Sequence, residues 1–417
     1  MNAINPPTGS PETQMLHAPY PLKDAYGALS MPVYQAVAYE FETAAQMEAA
    51  FTGKSPEHVY SRVSNPTVQY FEQRVKTLTG ADEVIAFNSG MAAIANTFIA
   101  VAQAGANIVT SPHLFGNTYS LIAFTLNDFG VEPRFCNLSD VAEVEKQLDR
   151  NTCAVFLETI TNPQMEVADL QALSEICKKH RVPLIADTTI VPFTAFKAAA
   201  FGVDVEVVSS TKYISGGATS LGGLVLDYGS YDWRQSSKLR TLAGQDGLSA
   251  FSLKIRREIH RNLGACMTPE VAAKQLTGLE TVAIRYERAA ATCRALAAKV
   301  RPLDGVASVN YPALEGHPFR DVSRRQFGEY PGAMFTFDVV SREAAFRFID
   351  RLKLIRRATN LFDHKTLAIH PASTIFGTFS EALRQRMDVS QNTIRISVGL
   401  EHIDDLYGDF AQALLRD

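Results

Sequence analysis

Five short apolar runs alternate with helical patterns along the first half of this chain, and no other feature limits its fold as strongly. The runs are Val84-Ile85-Ala86-Phe87, Asn107-Ile108-Val109-Thr110, Ala154-Val155-Phe156-Leu157-Glu158, Pro183-Leu184-Ile185-Ala186-Asp187 and Val205-Glu206-Val207-Val208-Ser209. Helical patterns cover 89–104, 116–127 and 169–180, and Gly222 to Asp227 reads as a hairpin-like continuation of the fifth run. Apolar runs of four or five residues separated by helices predict an α/β fold. Its sheet is mostly parallel and covered on both faces. Ligands in such sheets bind where the strands end, so the polar residues closing each run are the first to inspect.

The chain has 417 residues, too many for one ordinary core, so two domains are expected. Residues 1 to about 60 carry Pro6, Pro7, Pro11, Pro19, Pro21 and Pro32 and read as an irregular arm. Beyond about residue 255 the pattern changes to long amphipathic helices over 251–261 and 269–300. A smaller α+β region follows, with strands near 333–339 and 394–398. A net charge of −4 gives no electrostatic case for nucleic acid or an anionic membrane. The stretch 84–127 lacks Asp, Glu, Lys and Arg, but its asparagines and Gly105 suit a buried helix and strand better than a membrane span. Five cysteines without a C-x-x-C pair read as reduced core residues. Residues 1–16 lack the basic start and apolar centre of a secretory signal, so a soluble, cytoplasmic protein is expected.

Chemistry enters at Ser209-Ser210-Thr211-Lys212-Tyr213-Ile214-Ser215-Gly216-Gly217. A lysine at the end of a buried strand is costly unless its amine is used, and such an amine serves as a nucleophile or Schiff-base former. Ser209 and Thr211 share a face of an extended segment and can hold one phosphate. Lysine for an aldehyde and hydroxyls for a phosphate together describe pyridoxal 5′-phosphate (PLP). Alone, the four-residue pattern also fits a surface lysine behind a strand.

Four further segments supply context. Ser89-Gly90-Met91-Ala92-Ala93 sits at a strand-to-helix turn, where free N–H groups and the helix dipole favour an anion. Asp187 closes an apolar strand, a position that suits either a partner for a pyridinium nitrogen or a turn aspartate. Tyr60-Ser61-Arg62 offers phosphate donors outside the predicted sheet, and would also fit a plain surface. Arg395 places a charge inside Ile394-Arg395-Ile396-Ser397-Val398, which suits either a substrate carboxylate or a solvent-facing edge strand.

Taken together, these residues resemble the cystathionine γ-synthase-like, or Cys/Met-metabolism, branch of fold-type I PLP enzymes. The resemblance runs from about Pro32 to Leu406. It rests on Tyr60-Ser61-Arg62 with Asn65-Pro66-Thr67, Ser89 to Ala93, Glu158-Thr159 through Asn162-Pro163, and Asp187-Thr188-Thr189. Ser209 to Lys212, His370-Pro371-Ala372-Ser373-Thr374 and Arg395 to Glu401 complete it.

The resemblance implies an aspartate aminotransferase-like fold with a mostly parallel seven-stranded sheet. It further implies an arm over 1–60 that contacts a neighbouring subunit, a PLP-binding domain over 61–258 and a small domain over 259–417. Lys212 would be the Schiff-base lysine and proton shuttle, and Asp187 the partner of the ring nitrogen. Ser209, Thr211, Gly90 and Met91 would hold the phosphate, with Tyr60 and Arg62 reaching it from the neighbour in a dimer of active dimers. Phe115 would lie against the ring. Asn162, Arg395 and Ser373 would bind substrate. No metal is implied.

Within the family, Gly216 through Gly223, Asp227 to Trp233, Arg261-Asn262-Leu263-Gly264 and Gly278-Leu279-Glu280-Thr281 are similar to the O-acetylhomoserine sulfhydrylase pattern. That similarity implies γ-replacement on an O-acylated homoserine by sulfide or a small thiol. A γ-lyase acting on methionine or a related amino acid, a cystathionine γ-synthase and a catalytically weak homologue are the alternatives. Four departures are expected near the active site: Phe115 for tyrosine, Thr188 for asparagine, Gly217 for histidine, and Ile375-Phe376 for a polar pair. Phe115 can stack on a ring but cannot transfer a proton, which moves the proton work to Lys212, Tyr60 or Tyr119, with Lys212 and Tyr60 as the catalytic candidates.

Overall fold

The computed structural model describes residues 10–17, 26–244 and 249–415. Seven strands form the large sheet: β1 (Glu83–Phe87), β2 (Asn107–Thr110), β3 (Glu132–Phe135), β4 (Thr152–Glu158), β5 (Leu184–Asp187), β6 (Val205–Val208) and β7 (Gly223–Asp227). Their order is β1-β7-β6-β5-β4-β2-β3, and β7 alone runs antiparallel to its neighbours. β1 therefore points the same way as the parallel set. Phe87, Glu158, Asp187 and Val208 all end at one edge of the sheet, which becomes the floor of the site.

The apolar runs are continuous because both faces are covered. Val84 and Ala86 pack into one core while Ile85 and Phe87 pack into the other, and Leu184 and Ala186 are likewise split from Ile185. The first of these cores also takes in the helix Val282–Val300 and the C-terminal strands. That smaller sheet contains β8 (Ser308–Asn310), β9 (Met334–Asp338), β10 (Arg356–Arg357), β11 (Leu367–Ile369) and β12 (Thr393–Ser397), ordered β10-β11-β12-β9-β8.

Several expectations need correction. β3 was not anticipated, because Glu132-Pro133-Arg134-Phe135 reads as a loop; as an edge strand paired only to β2 it tolerates its proline. The arm contains a helix, Ala44–Phe51, capped by the Thr43 side chain. The expected helix over 269–300 is two, Pro269–Glu280 and Val282–Val300, broken at Thr281. The predicted helix 116–127 is α-helical only over Gly116–Ser120 and widens to a π-helix over Leu121–Leu126. Among the described residues, no helix is long and apolar enough to cross a membrane.

Candidate active site

Lys212 follows β6 on a tight turn. Its N–H donates to Ser209 O at 3.1 Å, and the next residues make a single 3₁₀ turn, Tyr213–Ser215, closed by Gly216 at φ +70°. The helix Pro269–Glu280 presses on this turn: a Cβ on Gly278 would lie 2.1 Å from Ile214 O. The close approach directs the lysine into the cavity at the sheet edge, where Nζ donates to Asn360 Oδ1 at 2.8 Å. Burial, aided by the nearby Arg395, pulls the amine's pKa down to about 8, against an opposing effect of Asp187.

The turn after β1 lies against the end of β6. Ser89 caps the helix Gly90–Val101 by accepting from Ala92 N at 3.1 Å. A Cβ on Gly90 would sit 2.7 Å from the Ser209 Cβ, so a bulkier residue could not bring the helix N-terminus this close to Ser209. Gly90, Met91, Ser209 and Thr211 thus share one wall of a cavity of about 340 Å³. Ser209 N donates to Thr189 Oγ1 at 2.8 Å, and the Thr211 hydroxyl donates to Gly222 O at 3.1 Å.

Two carboxyls lie at the floor. Glu158 and Asp187 are register partners at the ends of β4 and β5, so their side chains leave the sheet on the same face. Glu158 Oε1 accepts the Phe115 N–H at 2.6 Å, and Asp187 Oδ1 accepts the Thr189 N–H at 2.9 Å. Burial raises the pKa of both, and the charge of Asp187 pushes Glu158 well above the usual carboxylate range.

At the opposite wall, Arg395 stands on β12, which is paired on both sides, so its guanidinium is buried rather than at a solvent-facing edge. Nη1 donates to Asn162 Oδ1 at 3.2 Å and Nη2 to Asn360 O at 3.0 Å, while Nε has no partner among the described residues. An acid pair at one end and a guanidinium with a free donor at the other leave room for a ligand bearing a basic nitrogen and a carboxylate. The donor set fits PLP: Asp187 could take its ring nitrogen, the Gly90 cradle with Ser209 and Thr211 its phosphate, and Lys212 its aldehyde.

Nine of the expected site residues therefore line one cavity: Lys212, Asp187, Ser209, Thr211, Gly90, Met91, Phe115, Asn162 and Arg395. Three do not. Tyr60 is 41% exposed, and Arg62 donates to Arg261 O with its guanidinium carbon 5.5 Å from the Tyr60 ring centre. Ser373 is exposed, with Oγ 2.8 Å from His370 Nδ1.

The four departures also separate. Phe115 and Ile375 line the cavity. Thr188 instead bonds the buried Glu206, and Phe376 belongs to the core. Gly217 lies beneath the His364 ring, whose Nδ1 would be 2.6 Å from a Cβ there.

Sequence reasoning missed Glu158, Thr189 and Asn360 as site residues. Glu158 carried the same signal as Asp187, a carboxylate closing an apolar strand. Asn360 carried none. It sits in the coil 359–364, where Phe362 adopts φ +58° and stacks on Tyr213 with ring centres 4.1 Å apart. A bulky residue in the left-handed region is unusual, and the stacking holds it there.

Known proteins resemble this chain along nearly its whole length. Residues 12–415 match the family of Cys/Met metabolism PLP-dependent enzymes. An O-acetyl-L-homoserine sulfhydrylase of Corynebacterium glutamicum is 34% identical over 415 residues, 95% of each chain. O-acetyl-L-homoserine sulfhydrylase 1 of Thermus thermophilus is 35% identical over 417 residues, covering 97% of this chain and 99% of its own. A solved structure from Campylobacter jejuni, described as an O-acetylhomoserine (thiol)-lyase carrying a pyridoxyl-lysine monophosphate, superposes with a TM-score of 0.90 at 33% identity. It covers 97% of this chain and 100% of that one. With a family match over residues 12–415 and relatives 34–35% identical over nearly its whole length, the chain belongs to the Cys/Met metabolism PLP-dependent enzymes.

Proposed function

We propose that this protein replaces the γ-acyloxy group of O-acetyl-L-homoserine with sulfide or a small thiol, releasing acetate and giving homocysteine or a thioether amino acid. The observation that carries the reading is the single cavity holding Lys212, the acid at Asp187 and the incompletely paired Arg395. The sulfhydrylase names of full-length relatives, including a homocysteine synthase of Schizosaccharomyces pombe at 32% identity, support the choice of reaction.

PLP, when bound, supplies an electron sink. The chain supplies position and proton transfer. Arg395 takes the substrate carboxylate, with Nε as the unused donor and Asn162 and Asn360 fixing the other two nitrogens. Asp187 would hold the ring nitrogen, while Ser209, Thr211 and the first N–H groups of the helix at Gly90 and Met91 would hold the phosphate. The Lys212 amine, drawn down to about 8, can lose and regain a proton near neutral pH and so carries it between the carbons of the bound amino acid. Phe115, a cavity-lining residue without a hydroxyl, would pack against the ring and leave that proton work to Lys212, with Tyr60 of a neighbouring copy as a second catalytic group.

Tyr60 and Arg62 lie outside this chain's cavity, and we assign them to the phosphate site of a neighbouring copy in a dimer of active dimers. Ser373 is assigned to substrate binding through its turn with His370. We divide the chain into an arm over 1–60, a cofactor-binding unit over 61–258 and a C-terminal unit over 259–417. Five free cysteines suit a reducing cytoplasm.

The test is incubation of the PLP-loaded protein with O-acetyl-L-homoserine, with and without sulfide. Homocysteine formed only with sulfide supports the reading. 2-Oxobutanoate and ammonia formed without any thiol would replace it by a γ-lyase.

A further inference from the structure

His113 lies two residues before Phe115, on the turn that joins β2 to the helix Gly116–Ser120. Its side chain is 12% exposed and meets a carboxylate at each ring nitrogen: Nδ1 is 2.7 Å from Glu166 Oε2, and Nε2 is 2.9 Å from Asp388 Oδ2. The three residues belong to three separate segments. Glu166 closes the turn 161–166, held by Thr161 N to Glu166 O at 2.9 Å and by Glu166 N to Thr161 Oγ1 at 3.1 Å. That turn carries Asn162, the partner of Arg395. Asp388 follows the helix Glu381–Arg386 of the C-terminal part, at φ +50°. The Gln164 side chain crosses the same joint to Met387 O.

We propose that His113 is a positioning residue, a proton-dependent clasp that holds the Phe115 turn, the Asn162 turn and the C-terminal part together around the substrate site. An imidazole facing two carboxylates needs a proton on both nitrogens. Once neutral it can donate to one, and its other nitrogen then meets an acceptor with its own lone pair. Three other charged groups nearby are engaged elsewhere. Glu158 holds the Phe115 N–H, Arg384 donates to Phe379 O, and Arg386 faces Tyr119. Burial works against the imidazolium, but Glu166 and Asp388 outweigh it and hold the His113 pKa above its ordinary value. The sign follows: the clasp is complete below that raised pKa and loses one arm as pH climbs through it.

The functional consequence rests on reading this cavity as the amino-acid site. Loss of one arm loosens Asn162 and Phe115 relative to Arg395, so it weakens substrate binding more than turnover. Two measurements on the PLP-loaded enzyme test the clasp. The first follows hydrogen–deuterium exchange at the His113 imidazole carbon by mass spectrometry across pH. It should titrate above the usual histidine value in wild type and fall back toward that value in Asp388→Asn, a change at an exposed side chain. The second follows KM for O-acetyl-L-homoserine from pH 6 to 9. Across this range KM should rise about ten-fold more in wild type than in His113→Gln, the effect of one lost charged hydrogen bond, with kcat differing less between the two. A His113 that titrates at or below the ordinary value, or a KM profile that is the same in His113→Gln and wild type, overturns the clasp. Failure of turnover with this substrate would count against the proposed reaction and leave the exchange measurement standing.

Discussion

The floor and the far wall of the cavity are built on different principles. The floor is strand ends: Glu158, Asp187 and Ser209 each follow a buried run, and their directions are set by the pleat and register of one sheet. The wall around Asn360 is a coil, fixed by Phe362 stacked on Tyr213, by His364 lying over Gly217, and by Phe362 N donating to Ser397 Oγ at 2.7 Å. One is placed by local periodicity, the other by contacts between parts of the chain far apart in sequence. Floor residues should therefore be intolerant for chemical reasons, whereas wall residues should be sensitive through geometry that a second substitution can restore.

The sharpest break is Lys212→Ala. It should lower turnover by about three orders of magnitude or more and abolish the visible absorbance of covalently held cofactor, with the fold kept. If turnover survives within ten-fold, the floor does not hold the proton-transfer group. Next, Arg395→Leu should reduce kcat/KM for an amino-acid substrate by roughly 100-fold, mainly through KM, because an orienting charge is lost. An unchanged KM would move the carboxylate elsewhere.

A wall substitution, Asn360→Ala, should cost about ten-fold in kcat/KM, since one hydrogen bond to a charged amine disappears. It has a second readout. In cofactor-free protein, acylation of Lys212 should have its midpoint at about pH 8, and Asn360→Ala should move it lower, because an acceptor favouring the charged form is gone. A shift upward would contradict the assigned contact. The smallest effect belongs to Gly217→Ala. At φ +103° and with His364 in the way, it should lower the thermal midpoint by a few degrees. His364→Ala in the same chain should recover part of that loss, and no recovery would mean that backbone strain alone is responsible.

What could be read from the sequence follows the same division. Asp187, Ser209 and Lys212 were visible because each is a polar residue at the end of an apolar run. Arg395 stood out as a charge within one, although only the pairing of β12 on both sides distinguishes a buried site from a solvent-facing edge. Glu158 was equally visible and went unassigned, since a carboxylate beside another carboxylate suggests a role only once the strand register is known. β3 was hidden by Pro133 and two charged neighbours, which an edge strand accepts and a central strand does not. Asn360 was hidden because nothing in Thr359-Asn360-Leu361-Phe362 signals a turn; the left-handed backbone at Phe362 exists only by virtue of the tyrosine beneath it. Tyr60 and Arg62 lie outside this chain's cavity, and neither periodicity nor a single chain carries a signal for the role proposed for them.

The packing of His364 over Gly217 has a consequence for how such chains diverge. Two positions far apart in sequence hold the volume of one imidazole between them. Bulk at one excludes bulk at the other, so the two should drift as a linked pair. A lineage would pass the ring from one loop to the other through intermediates with little bulk at both positions.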